Sequence, residues 1–186
     1  MIDNPTAYWE DLWATERRYR QLTDSETAVL DRHSGPGGGR AALDIGSGDG
    51  ALARHLADRG FKTTGLDCAP SALALASTGP SSTAVTFCLA DFESPQFPPL
   101  TERAFAVITA RLVYAFIKDK SAFLSRVRSL LVPGGLFWVV TPMVERVPAG
   151  QASTGITTAE EELLTSGWSV VRTTDMDCLR CFTLRP

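Results

Sequence analysis

The sequence predicts an α/β fold: a mostly parallel sheet with helices on both faces, closed at one end by an antiparallel hairpin. Three observations predict it. Short apolar runs recur at residues 41–45, 61–66, 84–89, 104–109 and 136–141, most of them separated by segments of helical periodicity. Strands that alternate with helices in this way pair in parallel and carry their crossovers on the sheet faces. The first run passes directly into "GSGDG", a glycine-rich turn between a strand and a helix. Near the end, "WSVVRTT" and "CLRCFTLR" stand too close together for a helix to fit between them, so they pair as a hairpin and bring the sheet to seven strands.

Taken in order, the N-terminal stretch "TAYWEDLWATERRYRQ" sets Tyr8, Trp9, Leu12 and Trp13 at one-three-four spacing with Glu10, Asp11 and Glu16 outside the stripe, an aromatic helical face in need of a partner. Thr23 and Glu26 have capping-box spacing and open a second helix that carries Ala28, Val29 and Leu30 and breaks at "HSGPGGGR". Further helices are predicted over 51–58, over 70–76 behind Pro70, and over 119–131, where Phe123, Leu124, Val127, Leu130 and Leu131 form one face. Residues 79–83 read as a surface loop and the proline-rich 93–101 as an irregular connection. The segment 143–158, "MVERVPAGQASTGITT", reads as a mobile loop that walls a site beyond the fifth strand. No repeat divides the chain, so residues 1–186 form one domain, with 1–39 a helical cover and 40–186 the core.

Composition narrows the functional classes. With 186 residues, 44% hydrophobic and 21% charged, and a net charge of −3, the chain is globular, and its charge does not favour a nucleic-acid partner. "ERRYR" reads as a charged helix face. The longest apolar stretches, such as 136–140, fall far short of the roughly 20 residues that span a bilayer, and the N-terminus carries acidic residues where a signal peptide carries basic ones. A cytoplasmic protein without membrane contact is expected. Four cysteines are too scattered for a disulfide scaffold, and Cys178 and Cys181 lie in a strand pattern whose positions three apart face opposite ways, so no metal is expected.

The glycine turn implies a ligand with a polar or charged part, because a backbone without side chains approaches closely while the N–H groups of the helix start face outward. Gly46, Gly48 and Gly50 run G-x-G-x-G instead of the dinucleotide pattern G-x-G-x-x-G, and Asp44 stands two residues ahead. A fixed carboxylate there repels pyrophosphate and attracts an ammonium group. Asp67 closes the second strand, where a carboxylate accepts both hydroxyls of a ribose, and Asp91 follows the third, placed to accept from an exocyclic amine beside Phe92. Parallel strands deliver their carboxyl ends to one edge, so the three aspartates are expected at one crevice.

"ALDIGSGDG", "TTGLDCAPSALALA", "LADFES", "FAVITARLVYAF" and "LLVPGGLFWVVTP", in this order, resemble the motifs of class I S-adenosylmethionine-dependent methyltransferases over residues 40–142. The resemblance implies the Rossmann-like seven-stranded sheet with its last strand inserted antiparallel. By position it implies that Gly46 and Gly48 pass the methionine part of the cofactor with Asp44 near its amino group, that Asp67 binds the ribose, that Cys68 lies against adenine, and that Asp91 takes the adenine amine with the Phe92 backbone beside it. It further implies that Ala110 and Arg111 border the sulfonium, and that Arg20 holds the cofactor carboxylate, with S-adenosylhomocysteine as product.

Methyl transfer from a sulfonium needs alignment more than a base. Tyr114, where such enzymes often carry a histidine, is the candidate catalytic residue, either bonding an acceptor or buried with its hydroxyl satisfied. Glu145 is a second, more plausibly solvated, candidate, and His33 and His55 read as structural. Tyr8, Trp9, Trp13 and Tyr19 are the candidate substrate-binding residues, closing an apolar chamber over the methyl group. The expected function is thus O- or N-methylation of a small molecule, in secondary metabolism by the alanine- and arginine-rich idiom. Two other readings stay open: a nicotinamide-dependent oxidoreductase, opposed by the glycine spacing, and a non-catalytic adenosyl-binding subunit, opposed by the complete set of cofactor residues.

Overall fold

In the computed structural model, which describes residues 4–15, 20–80, 82–97 and 100–186, seven strands form one sheet in the order β3-β2-β1-β4-β5-β7-β6. They are β1 (Ala41–Ile45), β2 (Lys62–Asp67), β3 (Val85–Leu89), β4 (Phe105–Arg111), β5 (Leu131–Pro142), β6 (Val170–Met176) and β7 (Leu179–Arg185). The first five pair in parallel, and β7 runs antiparallel between β5 and β6. The chain therefore runs outward from β1 to β3, returns to place β4 beside β1, and continues the other way. The reversal lies between β1 and β4, where open α/β sheets form their ligand crevice.

Both faces of the sheet are apolar because both are covered. Leu43, Ile108, Phe137, Val139 and Phe182 face one layer and pack with Phe123, Leu124 and Val127 of α5 (Lys120–Leu130) and Leu164 of α6 (Thr158–Thr165). The alternate positions Ala42, Val107, Trp138, Val140 and Cys181 face Val29 and Leu30 of α2 (Asp24–Ser34) and Leu52 and Leu56 of α3 (Ala51–Asp58). This two-sided burial is why the central strands read as continuous hydrophobic runs. Two further helices are α1 (Pro5–Ala14) and α4 (Pro70–Thr78). None of the helices among the described residues is long and apolar enough to cross a membrane.

Three segments differ from the sequence expectation. Strand β5 begins at Leu131 rather than 136: Leu131 pairs with Phe105 and Leu136 with Val107, and the residues between, Pro133 and Gly134 among them, bulge out of the ladder. Helix α6, which the sequence expectation leaves unassigned beyond residue 158, opens on a complete capping box of Thr157 and Glu160. The segment before it folds back on the end of β5, where Val144 donates to the Ile156 carbonyl and Ile156 to the Pro142 carbonyl, both at 2.9 Å, and none of its residues lines the crevice at the β1–β4 reversal.

Candidate functional site

The turn after β1 is built for contact. Gly46, Gly48 and Gly50 have φ of 68°, 53° and 78°, the left-handed region that only glycine enters freely. Space is also short: a Cβ on Gly46 would lie 2.3 Å from Cγ2 of Val113, and one on Gly48 2.8 Å from the Trp13 ring. The turn is held from below, since Ser47 donates its N–H to the Leu66 carbonyl at 2.7 Å and Gly48 donates to Oδ2 of Asp67 at 2.8 Å.

Asp44, Asp67 and Asp91 line one cavity at the carboxyl ends of β1, β2 and β3, together with Ser47 and Cys68. Their environments differ. Asp44 is buried; its Oδ1 accepts the Thr109 hydroxyl at 2.7 Å, and its Oδ2 has no partner among the described residues. Burial pushes its carboxyl up to about 7, against the pull of the Thr109 hydroxyl and the Arg111 charge and with the repulsion of Asp67 and Asp49. Asp67 is also raised by burial, while the amides of Ala69 and Gly48 favour its ionised form. Each of its oxygens takes one backbone N–H and keeps room for a second donor. Asp91 is exposed, and its Oδ1 accepts the Glu93 N–H at 2.9 Å. Burial raises the Cys68 thiol to about 11, so it stays protonated and serves as apolar lining.

Helix α1 lies over this cavity. Trp9 and Trp13 line it, the Trp9 ring stands edge-on to Phe116 at 4.8 Å, and Glu10 accepts both the N–H and the hydroxyl of Ser71 at the start of α4. The last contact gives α4 the side-chain cap that its own N-cap residue, Ala69, lacks.

Comparison with known proteins agrees with this geometry. Residues 43–139, from β1 into β5, match the family model described as "Methyltransferase domain". The chain belongs to this methyltransferase family. A ubiquinone biosynthesis O-methyltransferase of Paramagnetospirillum magneticum is 35% identical over 103 residues, which cover 55% of this chain and 41% of that protein. The aligned part is thus less than half of that relative's length. Among solved structures, an S-adenosylmethionine-dependent methyltransferase from Mesorhizobium loti has a TM-score of 0.70 at 19% identity, covering 88% of this chain and 99% of that one. DhpI, in its complex with SAM and HEP, has a TM-score of 0.72 at 23% identity, covering 97% and 95%.

Within this methyltransferase fold, several residues expected at the site lie elsewhere. Tyr114 is fully buried among core residues, its hydroxyl faces the Glu160 carbonyl at 3.5 Å, and burial raises its ionisation well above the ordinary range. It does not line the cavity, because the short helical turn Tyr114–Phe116 points its first side chain inward and its last toward the cavity. Ala110 is buried in the core and does not border the cavity, since its alternate neighbour Arg111 takes the outward position. Arg111 does line it, but its guanidinium is engaged with Glu26 and two backbone carbonyls. Tyr8 is exposed and packs against Trp9 outside the cavity. Tyr19 lies outside the described residues. Phe92 contributes to the lining while its ring packs on Phe97 and Phe123. Arg20 lines the cavity, with Nη1 3.1 Å from Sγ of Cys178. Glu145 is exposed, and His55 is bonded to Asp31 at 2.8 Å.

Sequence reasoning missed Val113, Phe116 and Ile117, apolar lining residues from the stretch after β4. It also missed Leu112, whose φ of 60° turns the chain so that Val113 packs on the glycine turn. An apolar run that continues past a strand end beside a glycine turn was the available signal for the first three. Nothing in the residue type foretold the left-handed leucine.

Proposed function

We propose that the protein transfers the methyl group of S-adenosylmethionine to a small molecule, with S-adenosylhomocysteine as product. The observation that carries this reading is the unpartnered Oδ2 of Asp44, buried beside a cavity that also gathers Asp67, Asp91 and the glycine turn. A buried carboxylate oxygen without a donor is unfavourable unless a ligand supplies one, and an ammonium does so. The other groups fit the same molecule: both oxygens of Asp67 can accept ribose hydroxyls, Cys68 and the Phe92 backbone flank the adenine position, Asp91 accepts its amine, and Arg20 pairs with the carboxylate.

The bound cofactor supplies an activated methyl on sulfonium. The chain itself supplies placement and exclusion of water. Trp9, Trp13 and Phe116 shape an apolar chamber for the acceptor, and Leu112 with Val113 closes the side next to the glycine turn. With Tyr114 directed into the core, catalysis proceeds by proximity. An oxygen acceptor is favoured by the O-methyltransferase relative, and the acceptor we propose is a secondary metabolite.

Calorimetry with S-adenosylmethionine, S-adenosylhomocysteine and NAD tests this reading. Binding of both adenosyl compounds and not NAD is expected. Binding of NAD alone would install the oxidoreductase reading instead. Adenosyl binding without product formation across a broad acceptor panel would favour a non-catalytic subunit.

A further inference from the structure

Arg111 stands at the switch point between β1 and β4 and lines the cavity, yet its donors are taken up by Glu26 and by two backbone carbonyls. Nε donates to Oε1 of Glu26 at 2.7 Å, and Nη2 reaches Oε2 at 3.2 Å. Nη1 donates to the Arg20 carbonyl at 2.9 Å and Nη2 to the Gln21 carbonyl at 2.8 Å. Glu26 is 1% exposed, and its Oε2 also accepts the N–H and the hydroxyl of Thr23 at 2.9 Å. One buried carboxylate therefore caps α2 and fixes a guanidinium whose remaining donors hold the backbone of residues 20 and 21.

The consequence concerns Arg20. Its own side chain has weak partners: the Cys178 thiol, and Asp177, an exposed carboxylate 3.6 Å away. Where its guanidinium hangs in the cavity is set by where its backbone is held, and Arg111 holds that backbone. We infer that Arg111, seated by Glu26, is a positioning residue that places the Arg20 guanidinium in the cavity wall to receive an anionic group of the ligand. The ligand identity rests on the function proposed above; the placement of Arg20 does not.

A double-mutant cycle on Arg20→Ala and Arg111→Lys tests it with two readouts. Lysine keeps the charge but cannot bond the carboxylate and two carbonyls in one plane. The first readout needs no ligand: the rate at which iodoacetamide labels Cys178, followed by peptide mass spectrometry. Arg111→Lys should change that rate by the same factor as Arg20→Ala, and the double variant no further. The second is S-adenosylhomocysteine affinity, which each single variant should weaken roughly tenfold and the double variant little more. Glu26→Gln, which retains the cap acceptors, should shift both readouts in the same direction by less. An unchanged Cys178 rate in Arg111→Lys, or factors that multiply in the double variant, would overturn the positioning role. Normal coupling at Cys178 in a protein that binds no S-adenosylhomocysteine would instead overturn the proposed function alone.

Discussion

Replacing Asp44 by asparagine should move stability and ligand affinity in opposite directions. Burial lifts this carboxyl from 3.8 to about 7 in the folded chain. Between those values the native state holds a proton that the unfolded state has lost, so stability falls as pH rises through the window from about 4 to about 7. Three pH units at about 1.4 kcal/mol each give an upper bound of about 4 kcal/mol for the penalty that the ligand-free protein carries at pH 8. Asp44→Asn removes the titration while keeping an acceptor for Thr109. Denaturant unfolding should therefore show the variant more stable than wild type at pH 8, by about 2–4 kcal/mol, with the gap closing toward pH 4. Binding of S-adenosylhomocysteine at pH 8 should weaken by about 1–3 kcal/mol, because the ammonium loses its charged acceptor. In the wild type at pH 6, binding should release roughly 0.9 proton, read from calorimetry in buffers of different ionisation enthalpy. Parallel stability curves for the two proteins from pH 5 to 8, or equal affinities at pH 8, would refute the reasoning.

The other predictions follow from the same geometry. Asp67→Ala removes the acceptor of the Gly48 and Ala69 amides along with the proposed ribose contact, so S-adenosylhomocysteine affinity should fall by about 1–3 kcal/mol or more in calorimetry. Tyr114→Phe removes a hydroxyl that faces the Glu160 carbonyl away from the cavity, so turnover should change less than about twofold; a large loss of kcat at unchanged melting temperature would restore a catalytic role. Trp13→Ala uncovers Gly48, and stopped-flow measurement should show S-adenosylhomocysteine leaving several-fold faster with little change in melting temperature.

The fold was legible because its signals are local. Five apolar runs, one glycine turn and a hairpin too short to enclose a helix give a mostly parallel sheet with an antiparallel end, whereas the insertion of the last strand beside the fifth followed only from the family resemblance. The convergence of Asp44, Asp67 and Asp91 followed from topology alone, since parallel strands end on one side. What stayed hidden depends on which way one side chain turns at a strand end. Ala110, Arg111 and Tyr114 fall within five positions at the end of β4, yet one is core, one binds backbone carbonyls and one points away from the cavity. The left-handed Leu112 between them resets the alternation, so periodicity counted from the strand no longer says which residue faces the ligand. Glu26 shows the complementary limit. Its capping role was visible from a spacing of three residues, whereas its pairing with Arg111 spans 85 positions and exists only because α2 packs beside the end of β4. A carboxylate already committed to a helix cap is still free, on its other oxygen, to fix a guanidinium, and here that second bond links the helical cover to the strand beside the site.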